Sequence, residues 1–236
     1  MTSSARGQSH VVGVTLLLAI ALLGIGGLTA TVGTVVDGHA ATADADRVAD
    51  AFTGTLDPAR TRGVRTGRVA FSEGAITTEN RTVRVVRNGS VVAALPANAL
   101  VYRTGSHRVA SLAGGVTTGP PGAASFARPP GLAVGPRAVE LGVPVLTTRP
   151  SVGASGGVTL RLRANVTHDR RALGSGRFAL AVETATPGPW ERYARGLNAT
   201  VERRDFDGDG TPSVVATFPG TRRGFLVVHR TRVTLA

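Results

Sequence analysis

The chain has 236 residues, 27 of them basic and 15 acidic, which gives a formal net charge of +12. It contains no cysteine, so disulfides, thiolate zinc sites and cysteine nucleophiles are excluded. Every Lys/Arg position is arginine, and a charge of this sign suits an acidic partner such as an anionic surface layer, lipid headgroups or nucleic acid.

From Val11 to Val36 the chain runs 26 residues without an Asp, Glu, Arg, His, Asn or Gln. As a helix this stretch rises about 39 Å at 1.5 Å per residue, against a bilayer hydrocarbon core of about 30 Å. The expectation is a membrane span over residues 11–36. The run is too long for the apolar part of an ordinary secretory signal, and no Ala-x-Ala cleavage site closes it. Arg6 precedes it, while Asp37, Asp44, Asp46 and Asp50 follow it against Arg47. That bias favours a cytoplasmic N-terminus and places the downstream body outside the cell. Gly26, Ala30, Thr34 and Gly38 recur every four residues, a spacing that lets helices approach closely in lipid.

The helical pattern continues through Ala41, Ala45, Val48, Phe52 and Leu56, and Asp57-Pro58 ends it. One long helix over 8–56 is expected, its Val48/Phe52/Leu56 stripe packed on the domain that follows. Beyond Pro58, short β-branched runs alternate with Gly, Pro and Asn, an all-β texture. Thr82–Arg87 and Ser90–Leu95 flank Asn88-Gly89, the signature of a type I′ hairpin. Ala99–Arg103 and His107–Leu112 form a second hairpin. Gly119–Pro136 reads as a loop. Val158 to Thr167 alternates strictly between apolar and polar residues, predicting a strand with one wet, basic face. Arg177–Thr186 and Phe225–Leu235 read the same way. Pro187–Leu197 is the one short helix expected here.

Four of the five asparagines head an N-glycosylation sequon: Asn80, Asn88, Asn165 and Asn198. Each falls at a predicted turn or on a water-facing strand position, which also suits plain polar turn residues. Asp205, Asp207 and Asp209 match the first half of a calcium loop. The twelfth position holds Ala216 rather than a bidentate Glu, so the alternatives are a weakly bound Ca2+ and an ordinary hairpin turn. Gly153-Ala-Ser155-Gly-Gly157 fits a nucleophile elbow in letters alone, because a strand rather than a helix follows it. No catalytic residue is assigned. Few aromatics interleave the arginines, so nucleic acid is not expected as a partner.

The entrance segment Arg6-Gly-Gln-Ser-His-Val-Val-Gly-Val14 resembles the prepilin-type (class III) signal of archaeal pilins and archaellins, particularly those of haloarchaea. The resemblance implies cleavage by a prepilin peptidase between Gly7 and Gln8, which leaves the apolar helix on the mature protein. Further on, Leu100-Val-Tyr102, Gly114-Gly115 and the Trp190-x-x-Tyr193 helix are laid out as in haloarchaeal pilin-like proteins, to which 60–236 is similar. The reading is an α+β chain: leader 1–7, a long N-terminal helix 8–56 with its membrane span, and a β-rich, sandwich-like extracellular domain 57–236 with one short helix. It describes a non-enzymatic, structural or adhesive surface protein, with no cofactor beyond that Ca2+. Its partners would be the membrane, the peptidase, other pilin-like subunits and an acidic cell-surface layer. The rivals are an uncleaved single-pass anchor that never polymerises and an anchored hydrolase.

Overall fold

The computed structural model describes residues 5–57 and 63–236, without the side chains of 5–13 and 24–37. It divides into two compact units, residues 1–40 and 41–236. Helix α1 (Ala5–Thr55) forms the first unit and supplies its last turns to the second. The described apolar side chains in the first unit, from Val14 to Leu23, are all strongly exposed, Leu23 by 76%. Among the described residues no helix is long and apolar enough to cross a membrane. Within the span expected over 11–36, side chains are described only for Val14–Leu23, about 15 Å of helix.

The second unit is β-rich and built from three sheets, where a sandwich has two. Its strands in chain order are β1 (Gly63–Phe71), β2 (Gly74–Glu79), β3 (Thr82–Arg87), β4 (Ser90–Pro96), β5 (Ala99–Thr104), β6 (His107–Leu112), β7 (Gly115–Thr118) and β8 (Ser125–Arg128). There follow β9 (Ala133–Val134), β10 (Ala138–Leu146), β11 (Val152–Ala154), β12 (Val158–Gly176), β13 (Phe178–Glu183), helix α2 (Pro187–Gly196), β14 (Thr200–Arg204), β15 (Ser213–Thr217) and β16 (Arg222–Leu235). The first sheet has the order β1-β12-β16-β10-β9, the second β11-β2-β5-β6-β7-β8 and the third β14-β15-β13-β3-β4. The β10–β16 pair is parallel and the other pairings are antiparallel.

Both expected hairpins form. Asn88 and Gly89 both take positive φ, 52° and 83°, as a type I′ turn requires. β5 and β6 close at Thr104 and His107 around Gly105-Ser106. The loop expected over Gly119–Pro136 contains the short strands β8 and β9. Proline-glycine texture hides strands that pair on one side only.

Arg177–Thr186 differs from its expected half-wet pattern, because all six residues of β13 are buried. The strand is flanked by β15 and β3. Phe178, Leu180 and Val182 face the main core, while Ala179 and Ala181 pack with Val215 and Phe206 on the other side. A strand covered on both faces loses its alternation.

The second core forms around the end of α1. Ala45, Val48, Ala49, Phe52 and Leu56 pack with Val69, Phe71, Leu162, Ala164 and Val233 of the first sheet and Ile76, Leu100, Tyr102 and Val109 of the second. Gly67 of β1 admits the helix end, because a Cβ there would meet the Thr55 hydroxyl at 2.0 Å. Two polar clamps fix the segment. Asp44, only 1% exposed, accepts the Ser72 amide at 2.7 Å and the Glu73 amide at 3.4 Å, and pairs with Arg47. Burial alone would raise its carboxyl, but those amides and Arg47 bring it below the usual value. At the other end Arg128 donates to the Thr53 carbonyl at 2.7 Å, to the Leu56 carbonyl and to the Gly114 carbonyl at 3.2 Å. It thereby occupies carbonyls that a helix terminus leaves without partners.

Two outcomes test this docking in urea unfolding of the full chain in detergent, followed by the fluorescence of Trp190. Phe52→Ala is expected to cost about 3–5 kcal/mol, the range for emptying a buried aromatic site. Asp44→Asn is expected to cost about 1–3 kcal/mol at pH 7, as for a buried acceptor that is lost. A depressed carboxyl stabilises the fold above its unfolded value near 3.8 and loses that contribution as pH falls through the folded value. The gap between Asp44→Asn and the parent should therefore narrow at pH 3.

Candidate functional site

The wet face expected of the strand from Val158 to Thr167 lies on the outside of the first sheet and carries Asn165. Along β12 the burial alternates from Thr159 to Thr167, with Leu162, Ala164 and Val166 inward and Arg161, Arg163 and Asn165 outward. The register sets Arg68 opposite Arg161, Thr66 opposite Arg163 and Val64 opposite Asn165 on β1. On the other side Thr234 lies opposite Arg163, Arg232 opposite Asn165 and Arg230 opposite Thr167. Cross-strand partners share a face, so Arg68, Arg161, Arg163, Arg230 and Arg232 form one exposed field around Asn165.

The four sequon asparagines are all exposed, yet they do different work. Asn88 occupies its positive-φ turn, and its Oδ1 accepts the Arg177 amide at 2.9 Å. Asn198, at φ 58°, follows the C-cap Leu197 and stops α2. Asn80 sits between β2 and β3, where its carbonyl accepts from Arg81 at 2.5 Å. Only Asn165 lies within a regular strand, with Thr167 two residues on along the same face.

Asp205, Asp207 and Asp209 lie in the hairpin loop between β14 and β15, with carboxylate oxygens within 4.8 Å of one another. The Asp205 carboxylate accepts the amides of Gly208 at 2.8 Å, Gly210 at 3.0 Å and Asp207 at 3.3 Å, which lower its carboxyl. Asp209 accepts the Thr211 amide at 2.7 Å. Asp207 pairs with Arg84 at 2.7 Å, and Arg84 lies over the Phe206 ring, 4.8 Å from its centroid. The three residues could supply oxygens to a hard cation, but the arginine already neutralises one side of the loop and the amides occupy much of Asp205. Glu183 lies next to them, 3.5 Å from Arg84, its carboxyl pushed up by burial and by Asp207 and Asp209.

A cleft of about 410 Å³ is lined by residues that include Asp57, Arg128, Pro130, Gly142, Pro144 and His229. Its polar groups are tied into the scaffold. Arg128 holds the end of α1, and His229 Nδ1 lies 2.7 Å from His168 Nδ1. Burial pushes His229 down to about 4, with His168 adding to the effect, so the ring is neutral at pH 7. The two histidines lie 61 residues apart in the sequence. Their pairing depends on the β12–β16 register, which sets His168 directly opposite His229. Ser155 lies in the exposed turn between β11 and β12 and is followed by a strand, which lacks the elbow geometry. Gly7 and Gln8 fall within α1, and their side chains lie outside the described residues.

The contrast between Asn165 and Asn88 separates an exposed strand position from a turn position. Asn165→Gln is expected to change stability by less than about 0.5 kcal/mol, as for an exposed polar exchange. Asn88→Gln is expected to cost about 1–2 kcal/mol, because a longer side chain resists positive φ. Urea midpoints of both variants supply the check.

No curated protein and no solved structure matches the chain. A match to a family of unknown function, DUF7289, extends over residues 6–234. The chain belongs to that family.

Proposed function

We propose that this chain is a membrane-anchored, pilin-like surface protein with a structural or adhesive role, such as a minor subunit of a type IV pilus-like filament. The observation that carries the reading is the exposure of Val14, Leu16, Leu17, Leu18, Ile20, Leu22 and Leu23, each by 59% or more. Contiguous apolar surface of this kind marks contact with lipid or with other protein. The sequence extends the same apolar character to Val36, the length a bilayer demands. In this reading residues 11–36 span the membrane, the N-terminus is cytoplasmic and the β-rich unit is outside. The four-residue spacing of Gly26, Ala30, Thr34 and Gly38 in the sequence suits close packing against neighbouring pilin-like subunits.

In this extracellular setting the exposed sequon asparagines Asn80, Asn88, Asn165 and Asn198 are accessible to glycan transfer. The Asp205–Asp209 loop would hold Ca2+ weakly at most. No residue is given a catalytic role. A non-polymerising single-pass anchor shares these features except leader cleavage and the packing against neighbouring subunits.

Cleavage supplies the test. N-terminal sequencing of protein purified from native membranes should begin at Gln8 if a prepilin peptidase has acted after Gly7. A start at Met1 or Thr2 would favour the uncleaved anchor.

A further inference from the structure

We propose that the arginine field on the outer face of the first sheet is a binding surface for a carboxylated polysaccharide. The proposal rests on the surface-protein reading for its biological setting and on the field itself for its chemistry. The five side chains of Arg68, Arg161, Arg163, Arg230 and Arg232 are exposed. None of them enters an ion pair among the described residues, although most of the acidic side chains elsewhere in the domain are paired with arginine. The acidic residue nearest in register is Asp169, two positions beyond Thr167 at one end of the field, opposite Val228.

The spacing is that of the sheet. Adjacent strands lie about 5 Å apart and alternate residues on one strand about 7 Å apart, so the guanidinium groups stand in a short two-dimensional array. Two adjoining depressions run between them. One, of about 180 Å³, is lined by Arg163, Asn165, Arg232 and Thr234. The other, of about 410 Å³, is lined by Thr147, Asn165, Thr167, Arg230 and Arg232. Asn165 and Arg232 belong to both, which makes the pair one elongated trough.

The lining selects the partner. Each arginine fork can take a carboxylate through two parallel hydrogen bonds. The threonines and Asn165 between them both donate and accept, which suits a partner dense in hydroxyl groups. The trough is lined by no aromatic side chain, so bases have nothing to stack on and a protein partner finds no buried aromatic anchor. Val64 is the exposed apolar side chain opposite Asn165, too little to enter a lipid surface. A chain of acidic sugars matches both the charge array and the polar lining.

The test uses the full chain in detergent, made without glycosylation so that Asn165 is bare. It measures binding to polygalacturonate by titration at low and at physiological salt, with neutral dextran, duplex DNA and anionic phospholipid vesicles as parallel probes. The Arg163→Gln/Arg232→Gln double variant removes two charges from the trough. Arg137→Gln/Arg177→Gln removes the same charge from exposed positions outside it. Circular dichroism and urea midpoints establish that both variants fold.

The expected result is polygalacturonate binding that weakens with salt, no dextran binding, and a loss of at least about tenfold in the trough variant against less than about twofold in the control. Equal losses in the two variants would reduce the effect to net charge and overturn the proposal. So would the absence of polygalacturonate binding, or tighter binding of DNA or vesicles through the same two arginines. A start at Gln8 in the mature protein stands or falls separately from this outcome, so failure of the surface and failure of the pilin-like reading are distinguishable.

Discussion

The constraint on which this domain depends is the burial of a helix end. The last turns of α1 carry Val48 and Phe52, both fully buried, into a core whose walls come from two different sheets. Burying that stripe also buries backbone carbonyls that a helix terminus leaves without partners, and the helix has no basic residue of its own in its last turn. Arg128, from the end of β8, meets the need by donating to Thr53 and Leu56. Its own burial lowers its basicity, which Asp57 opposes from 4.0 Å. The hydrophobic stripe and the arginine are therefore one device. The stripe sets where the helix lies, and the cation makes the burial of its end tolerable.

Local patterns were readable in the sequence wherever a single element decides the outcome. The stripe Ala45, Val48, Phe52, Leu56, the turn at Asn88-Gly89, the alternation of β12 and the amphipathic α2 all follow from period and turn chemistry. Long-range pairing was not readable. The parallel β10–β16 ladder joins residues more than 80 positions apart, and the burial of β13 on both faces results from the strands beside it. The third sheet has the same origin. β12 has 19 residues and β16 has 14, and both run past the helix-bound core into the main core. The burial of Asp44 and Arg128 was not readable either, because the Ser72 amide held by Asp44 lies 28 residues away and the helix-end carbonyls held by Arg128 lie 72 and 75 residues away.

The candidate site divides along the same line. The outward setting of Asn165, Arg161 and Arg163 was legible from a period of two. The convergence of Arg68, Arg230 and Arg232 on them needed the strand register. Charge is also distributed unevenly in a way that composition cannot express. Glu79 alone is met by Arg81, Arg103 and Arg108, and those cations, against the cost of burial, hold its carboxyl low. One carboxylate there serves three arginines, whereas the five arginines of the field on the first sheet enter no ion pair among the described residues.

The positions of the two clamps have a mechanical consequence. Asp44 grips near the start of the docked segment and Arg128 grips at its end, about 14 Å further along the helix axis. A pull along that axis loads both grips and the whole apolar stripe at once, so they resist in parallel and must yield together. A sideways pull on residues 41–44 loads the Asp44 grip first and then opens the groove turn by turn. The same contacts thus give a joint that is stiff under axial tension and weaker under lateral peeling, a directionality that follows from where two side chains stand along one helix.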